Sequence, residues 1–288
     1  MTGILLVDKP ADWTSHDVVA KLRGIAREKR IGHSGTLDPM ATGLLVVFLG
    51  RATRAVAFAE ADEKTYIARL RLGLRTDTQD TTGNVLSECD AIPPRETVER
   101  ALGAFRGEIE QIPPMYSAVK REGKKLYELA RKGIEVERAP RRVTIRELEI
   151  PDGGGNEYTL RVRCSKGTYI RTLFHDIGEA LGCGGCMSAL RRTEAGMFSV
   201  SDAVPLSELS DAEAVLSRLL PVDRLFADRP EYVLPAQQLR PARCGNDLAA
   251  SSLRDGQYRV YAPDGEFLLL GEAKQGVLKT VRSFFTPD

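Results

Sequence analysis

Residues 32–43 read Gly-His-Ser-Gly-Thr-Leu-Asp-Pro-Met-Ala-Thr-Gly, and the apolar run Leu44-Leu45-Val46-Val47-Phe48-Leu49 follows, closed by Gly50. A short apolar run bounded by glycines is the pattern of a buried strand. The fold must therefore deliver a glycine-rich loop, carrying the carboxylate of Asp38, directly beside a core strand. Pro39 disfavours helical backbone at Asp38, and the glycines let the chain turn sharply and approach a ligand closely. Two readings of Asp38 follow. It caps a short helix that starts with Pro39 at its first position, or it is a carboxylate held rigidly for chemistry.

Periodicity supplies the surrounding elements. Leu5–Val7 reads as a short buried strand ended by Asp8-Lys9-Pro10, and Ser15 as the cap of a helix through Val18, Val19, Leu22 and Ile25. Tyr66, Ala68, Leu70 and Leu72 alternate with Ile67, Arg69 and Arg71, so Tyr66 begins a strand and shares the face of its apolar partners. Residues 96–105 are helical, and Leu160, Val162 and Cys164 alternate along another strand. The chain then turns at Lys166-Gly167-Thr168 into a helix with Ile170, Leu173, Phe174, Ile177 and Leu181 on one side and Gly182 as its stop. Arg171 falls in the first turn of that helix, pointing outward from the apolar stripe. Strands and helices interleave without a regular βαβ repeat, which predicts a mixed α+β domain. Ala227-Asp228-Arg229-Pro230 looks like a boundary. Beyond it, two strands flank Pro263-Asp264-Gly265, a hairpin signal, and residues 277–285 add a further strand, giving a small β-barrel.

At 288 residues the chain is long enough for one large domain, or a large and a small one. No apolar run reaches 18 residues, and the amino terminus lacks a basic-then-apolar pattern, so the expectation is a cytoplasmic protein with no membrane span. Five cysteines point to reduced thiols. Cys183-Gly184-Gly185-Cys186 is a single pair, and a structural zinc commonly needs a second such pair or two histidines, whereas the other cysteines are scattered and only His175 lies nearby, so no metal is expected. The net charge is +1, yet residues 120–146 hold ten basic and four acidic residues, leaving −5 on the rest. Such a concentrated basic segment suits a polyanion. It also suits a solvated helix face, because Lys124, Lys125, Glu128, Arg131 and Lys132 sit at helix-like spacing.

Several blocks then share one resemblance. The loop at Asp38, the opening Gly3-Ile4-Leu5-Leu6-Val7-Asp8-Lys9-Pro10, Lys64-Thr65-Tyr66 running to Gly73-Leu74-Arg75-Thr76-Asp77-Thr78, Gln111-Ile112-Pro113-Pro114-Met115-Tyr116-Ser117-Ala118, and Cys164-Ser165-Lys166-Gly167-Thr168-Tyr169-Ile170-Arg171 stand in the order and spacing of one family. Together they resemble the TruB family, bacterial pseudouridine synthases that modify the T arm of tRNA. The resemblance covers residues 3–205. It implies a mainly antiparallel sheet of the pseudouridine synthase fold over 1–226, and the place of residues 229–288 suggests a PUA-like RNA-binding barrel.

That resemblance assigns the catalytic carboxylate to Asp38 and pairs it with the guanidinium of Arg171. It makes Tyr66 the aromatic face for the base, with Tyr169 packing under Asp38 or Tyr66 and Leu190 walling the uracil pocket. His33 would lie against the opened RNA loop, and Lys9 and the basic segment would contact phosphates. Without the resemblance, Tyr66 reads as a core tyrosine, Arg171 as an ordinary first-turn arginine and His33 as a hydrogen-bonded loop residue. The reaction needs no cofactor. The expected partner is tRNA, engaged by a monomer with no obligatory protein partner. Two alternatives remain: a guide-RNA-dependent synthase that relies on partner proteins, and a non-enzymatic tRNA-binding or folding module.

Overall fold

The computed structural model describes residues 1–60, 63–121 and 123–285. The chain divides into two compact units, one of Met1–Pro39, Leu45–Ala61 and Asp202–Asp288, the other of Met40–Leu44 and Asp62–Ser201.

In the first unit, strand Gly3–Lys9 lies between Val204–Pro205, to which it is parallel, and the later residues of strand Thr42–Leu49. Strand Ile31–His33 pairs antiparallel with Thr42–Leu49, Ile31 opposite Leu49 and His33 opposite Val47. The run predicted to be a buried strand is buried from Leu44 to Leu49. Helix Ser15–Ala26 packs Val18, Val19 and Leu22 onto Leu5, Val7, Leu45 and Val47, the burial that its 3.6-residue periodicity demands. Its cap is Thr14 rather than Ser15. Thr14 Oγ1 accepts from Asp17 N–H at 3.0 Å, and Asp17 accepts from Thr14 N–H at 2.9 Å, a reciprocal capping box.

The tail of the same unit is a five-stranded half-barrel in the order Glu231–Val233, Gly256–Tyr261, Phe267–Lys274, Val277–Ser283, Leu248–Ala249. The hairpin falls at 263–265, as its turn residues predict. Phe226 packs edge-on to Phe58 at 5.2 Å and lies 5.9 Å from Phe284 and 6.3 Å from Phe267. These aromatics join the half-barrel to the segment after the core strand.

The second unit is built on an antiparallel sheet in the order Gly107–Gln111, Arg141–Gly154, Glu157–Cys164, Lys64–Leu72, Gly185–Ala195. Thr42 and Gly43 pair in parallel with Arg191 and Arg192. Gly43 has φ +98°, and a Cβ there would meet the Arg192 carbonyl at 2.3 Å, so this junction accepts only glycine. Helix Ile170–Ala180 packs on the Leu70 face. The opposite face exposes Arg69 and Arg71 and carries a charge ladder in which Glu63 accepts from Arg146 at 2.9 Å and Arg163 at 3.0 Å. The Arg146 guanidinium, foremost, holds the Glu63 carboxyl below its usual value. The basic segment is not one helix. Residues 120–121 and 124–125 form a minimal hairpin, and the helix spans only Leu126–Ala130. Glu122 and the side chain of Lys120 lie outside the described residues. Among the described residues no helix is long and apolar enough to cross a membrane.

Candidate active site

Asp38 is half-buried between two anchored neighbours. On one side, Leu37 N–H donates to Ser15 Oγ at 2.9 Å, and Ser15 Oγ donates to the Leu37 carbonyl at 3.2 Å. On the other, the Pro39 carbonyl accepts from Asp12 N–H at 2.9 Å and from Lys9 Nζ at 3.1 Å. The loop's entrance is fixed by Ser34 N–H on the Val46 carbonyl at 3.1 Å. Pro39 and Met40 form a turn, and the chain enters its strand at Thr42, so no helix begins at Pro39. The helix-cap reading of Asp38 therefore fails, and the braced loop remains.

Lys9 corrects a second expectation. Its residue exposure is 0%, and its three ammonium donors meet the carbonyls of Pro10 at 2.8 Å, Trp13 at 2.6 Å and Pro39 at 3.1 Å. An ammonium has three N–H groups, and a cation with no surface cannot serve as a phosphate contact. Lys9 is a positioning residue for the loop. Ser15 has the same task, which explains why it does not cap its helix. His33 is half-buried on the strand leading into the loop.

In the second unit Tyr66 is buried on strand Lys64–Leu72, opposite Val162 on one neighbour and Arg192 on the other. Leu190 stands opposite Ala68, so Tyr66, Leu190 and Arg192 share one face of the sheet. Arg192 was not singled out from the sequence. Its Nε donates to the Leu44 carbonyl at 2.7 Å from a fully buried position.

Arg171 does not point outward. It is 5% exposed, with Nη1 donating to the Thr78 carbonyl at 3.1 Å, Nη2 to the Tyr116 carbonyl at 2.9 Å, and Nε 3.9 Å from the buried Asp80 carboxylate. Burial of a guanidinium is tolerable because these acceptors replace water. Asp80 is itself enclosed, its Oδ1 accepting from Thr78 Oγ1 at 2.8 Å, Thr82 N–H at 3.0 Å and Thr82 Oγ1 at 2.6 Å. Next to Arg171, Thr172 Oγ1 donates to Gln79 Oε1 at 2.8 Å. Half-buried Tyr169 exchanges two bonds with the side chain of Gln111, N–H to Oε1 at 3.0 Å and carbonyl from Nε2 at 3.2 Å. The start of helix Ile170–Ala180 thus clasps residues 76–82 and 111–116. The density of Thr and Asp over 76–82 was the available signal for Asp80, being the composition of side-chain-capped turns. Asp38, His33 and Lys9 fall in the first unit, and Tyr66, Tyr169, Arg171 and Leu190 in the second.

Among the described residues no group of three or more His, Cys, Asp or Glu is placed to hold a metal ion. Cys183 and Cys186 are buried thiols. Burial pushes Cys186 up to about 11 and raises Cys183, which favours the protonated form that binds metal poorly. In the basic segment a groove of about 370 Å³ is lined by Val119 and Leu126, by Arg121, Arg138 and Arg141, and by the acidic residue Glu137.

The model of the TruB family pseudouridylate synthase N-terminal domain matches residues 23–170, and that of the tRNA pseudouridylate synthase B C-terminal domain matches 171–227. The chain belongs to the TruB family of pseudouridine synthases. Among its TruB relatives, the tRNA pseudouridine synthase B of Azoarcus sp. (strain BH72) is 46% identical over 286 residues, covering 99% of this chain and 95% of that protein. That of Clostridium kluyveri is 39% identical over 289 residues, 99% and 100% of the two chains. The fold is also that of a solved Cbf5-Nop10-Gar1 complex, at 27% identity and a TM-score of 0.73, covering 99% of this chain and 86% of that one. The mixed α+β, mainly antiparallel TruB architecture expected from the sequence is therefore present, with the C-terminal half-barrel after it.

Proposed function

We propose that this pseudouridine synthase isomerises uridine at position 55, in the T loop of tRNA, with Asp38 as its catalytic carboxylate. The observation that carries the reading is the bracing of the residues on both sides of Asp38, by Ser15 on Leu37 and Lys9 on Pro39, in a loop that begins no helix. Uridine and pseudouridine have the same composition. The ribose C1′ leaves N1 and joins C5, C5 gives up its proton, and N1 takes one up. An isomerisation balanced in this way needs no oxidant, hydride or water, and a fixed carboxylate with an aromatic platform is a sufficient donor set. Whether Asp38 attacks sugar or base, it must be ionised, which a neighbouring guanidinium favours. Arg171 takes that part by resemblance.

The target uridine is stacked in folded RNA, and extruding it costs a few kcal/mol. Tyr66 and Leu190 receive the base, Tyr169 supports them, and His33 meets the displaced loop bases, since aromatic rings stack on unpaired RNA. The arginine-lined groove and the exposed Arg121, Lys124, Arg131 and Lys132 hold phosphates, which position RNA without reading its sequence. Chemistry belongs to residues 1–226 and additional RNA contact to 229–288, in a cytoplasmic monomer that works without cofactor or protein partner. The nearly full-length likeness to proteins named tRNA pseudouridine synthase B, at 39–46% identity, favours this over the guide-dependent reading, for which the Cbf5 likeness is 27%.

The test is incubation of the purified chain alone with an unmodified tRNA transcript, followed by mapping of pseudouridine. Product at position 55 is expected. Product only after adding guide RNA and partner proteins would establish the guide-dependent alternative, and no product under either condition would leave an RNA-binding module.

A further inference from the structure

Strand Thr42–Leu49 runs into the short 3₁₀ helix Gly50–Ala55, and both arginines of that helix reach the end of the tail. Arg51 Nη1 donates to the Phe285 carbonyl, and Arg54 Nη1 donates to the Ser283 carbonyl at 3.0 Å and hydroxyl at 2.9 Å. A third arginine arrives from the neighbouring segment, where the Arg30 carbonyl accepts from Gly50 N–H at 2.7 Å. Arg30 and Arg54 are exposed, and Arg51 is half-buried. Among the described residues none of the three has an ion-pair partner within 4 Å. The carboxylate beside Arg30, Glu28, is engaged by the amino-terminal ammonium at 3.5 Å and by Arg30 N–H at 2.9 Å. Burial first, then the charges of Arg54 and Arg30, lower the Arg51 guanidinium from its usual value.

Fastening the tail explains two of these arginines and leaves the third unexplained. Gathering like charges is unfavourable unless an anion completes the cluster. Each guanidinium has five N–H donors in a planar fork suited to phosphate oxygens, and among the described residues only one nitrogen of Arg51 and one of Arg54 is committed to the tail. The cluster follows the strand at whose other end the Asp38 loop lies. Eight residues of strand put roughly 25 Å between the two ends. An anion here belongs to a large molecule engaged in two places.

We propose that Arg30, Arg51 and Arg54 bind the phosphodiester backbone of folded RNA, a contact beyond the hairpin that presents the target uridine. The proposal rests on tRNA being the substrate, and it gives the docked tail a role: it completes the site by orienting two of the guanidinium groups.

The experiment measures affinity against salt for a whole tRNA transcript and for an isolated T-arm hairpin, with melting temperature as a check on folding. For Arg30→Gln combined with Arg54→Gln, the whole-tRNA slope should flatten by about 1.4 to 1.8, at 0.7 to 0.9 for each phosphate no longer neutralised. The hairpin slope and the single-turnover rate on the hairpin should not change, and lysine at both positions should restore the slope. Arg30→Gln alone, which touches no tail residue, should flatten the slope by about half as much. An unchanged whole-tRNA slope in a folded variant would reduce the cluster to a tail latch, and equal flattening on the hairpin would overturn the placement. Failure of the wild-type chain to modify the hairpin would strike the proposed function instead, because the slope reads binding alone.

Discussion

Residues 34–39 and residues 119–141 stand at opposite extremes in how this chain holds a functional group. The Asp38 loop is short, and its neighbours are pinned by a fully buried lysine, a buried serine and the core strand after it. The basic segment consists of a minimal hairpin and a five-residue helix, anchored mainly by Leu126 and by backbone bonds such as Tyr127 N–H to the Ser117 carbonyl at 3.1 Å, with most of its cations exposed. Catalysis requires a carboxylate fixed to a fraction of an ångström, which packing and second-layer hydrogen bonds supply. Phosphate attraction is longer-ranged and needs only charge nearby. Interior cost is therefore concentrated at the loop proposed to carry the reaction.

If that contrast is right, the largest loss of stability follows Lys9→Met. Three part-buried carbonyls lose the ammonium that bridges them, costing about 3 kcal/mol. A fall in melting temperature of roughly 6–12 °C should result, together with a slower single-turnover rate. A variant as stable and active as the parent would refute the bracing role. Next in size is Arg171→Lys, which keeps the cation and loses the fork that spans the Thr78 and Tyr116 carbonyls. About 2 kcal/mol should be lost, and the rate should drop more than tRNA affinity does; the reverse split would make Arg171 an RNA-binding residue. Ser15→Ala leaves both the amide and carbonyl of Leu37 unpaired, for about 1–2 kcal/mol. Thermal melts and single-turnover assays should show a modest destabilisation with a measurable rate loss, and a rate unaffected at equal stability would uncouple the loop from Ser15.

The smallest effect on stability belongs to the basic segment. Lys124→Gln, Arg131→Gln and Lys132→Gln together should leave the melting temperature within about 2 °C. The same triple change should flatten the salt dependence of tRNA binding by about two to three units. An unaltered slope would make these residues a solvated face after all.

What the sequence made legible follows the same contrast. The buried strand after Gly43, the alternating strand at Tyr66 and the hairpin at 263–265 all appear, because each is local periodicity or turn chemistry. Lys9 and Arg171 were misplaced because long cations are mostly exposed. Their acceptors include Pro39 and Thr78, far along the chain, so only the folded structure displays the compensation. The strand Gly185–Ala195 escaped notice for a related reason: Ser188, Arg191 and Arg192 interrupt its apolar pattern, although Arg192 is buried on the Leu44 carbonyl. The spacing of charges at 124–132 suggested a helix, but that pattern spans a strand, a short helix and a turn.

The catalytic claim is tested most directly by single-turnover pseudouridine formation with Asp38→Asn in excess over tRNA. Asparagine is nearly isosteric, and the Ser15 and Lys9 bonds that hold the loop fall on Leu37 and Pro39, so the fold and the tRNA affinity should be close to those of the parent. No detectable pseudouridine is expected from this folded, tRNA-binding protein, whereas substantial product would show that the carboxylate is not the group that drives the reaction.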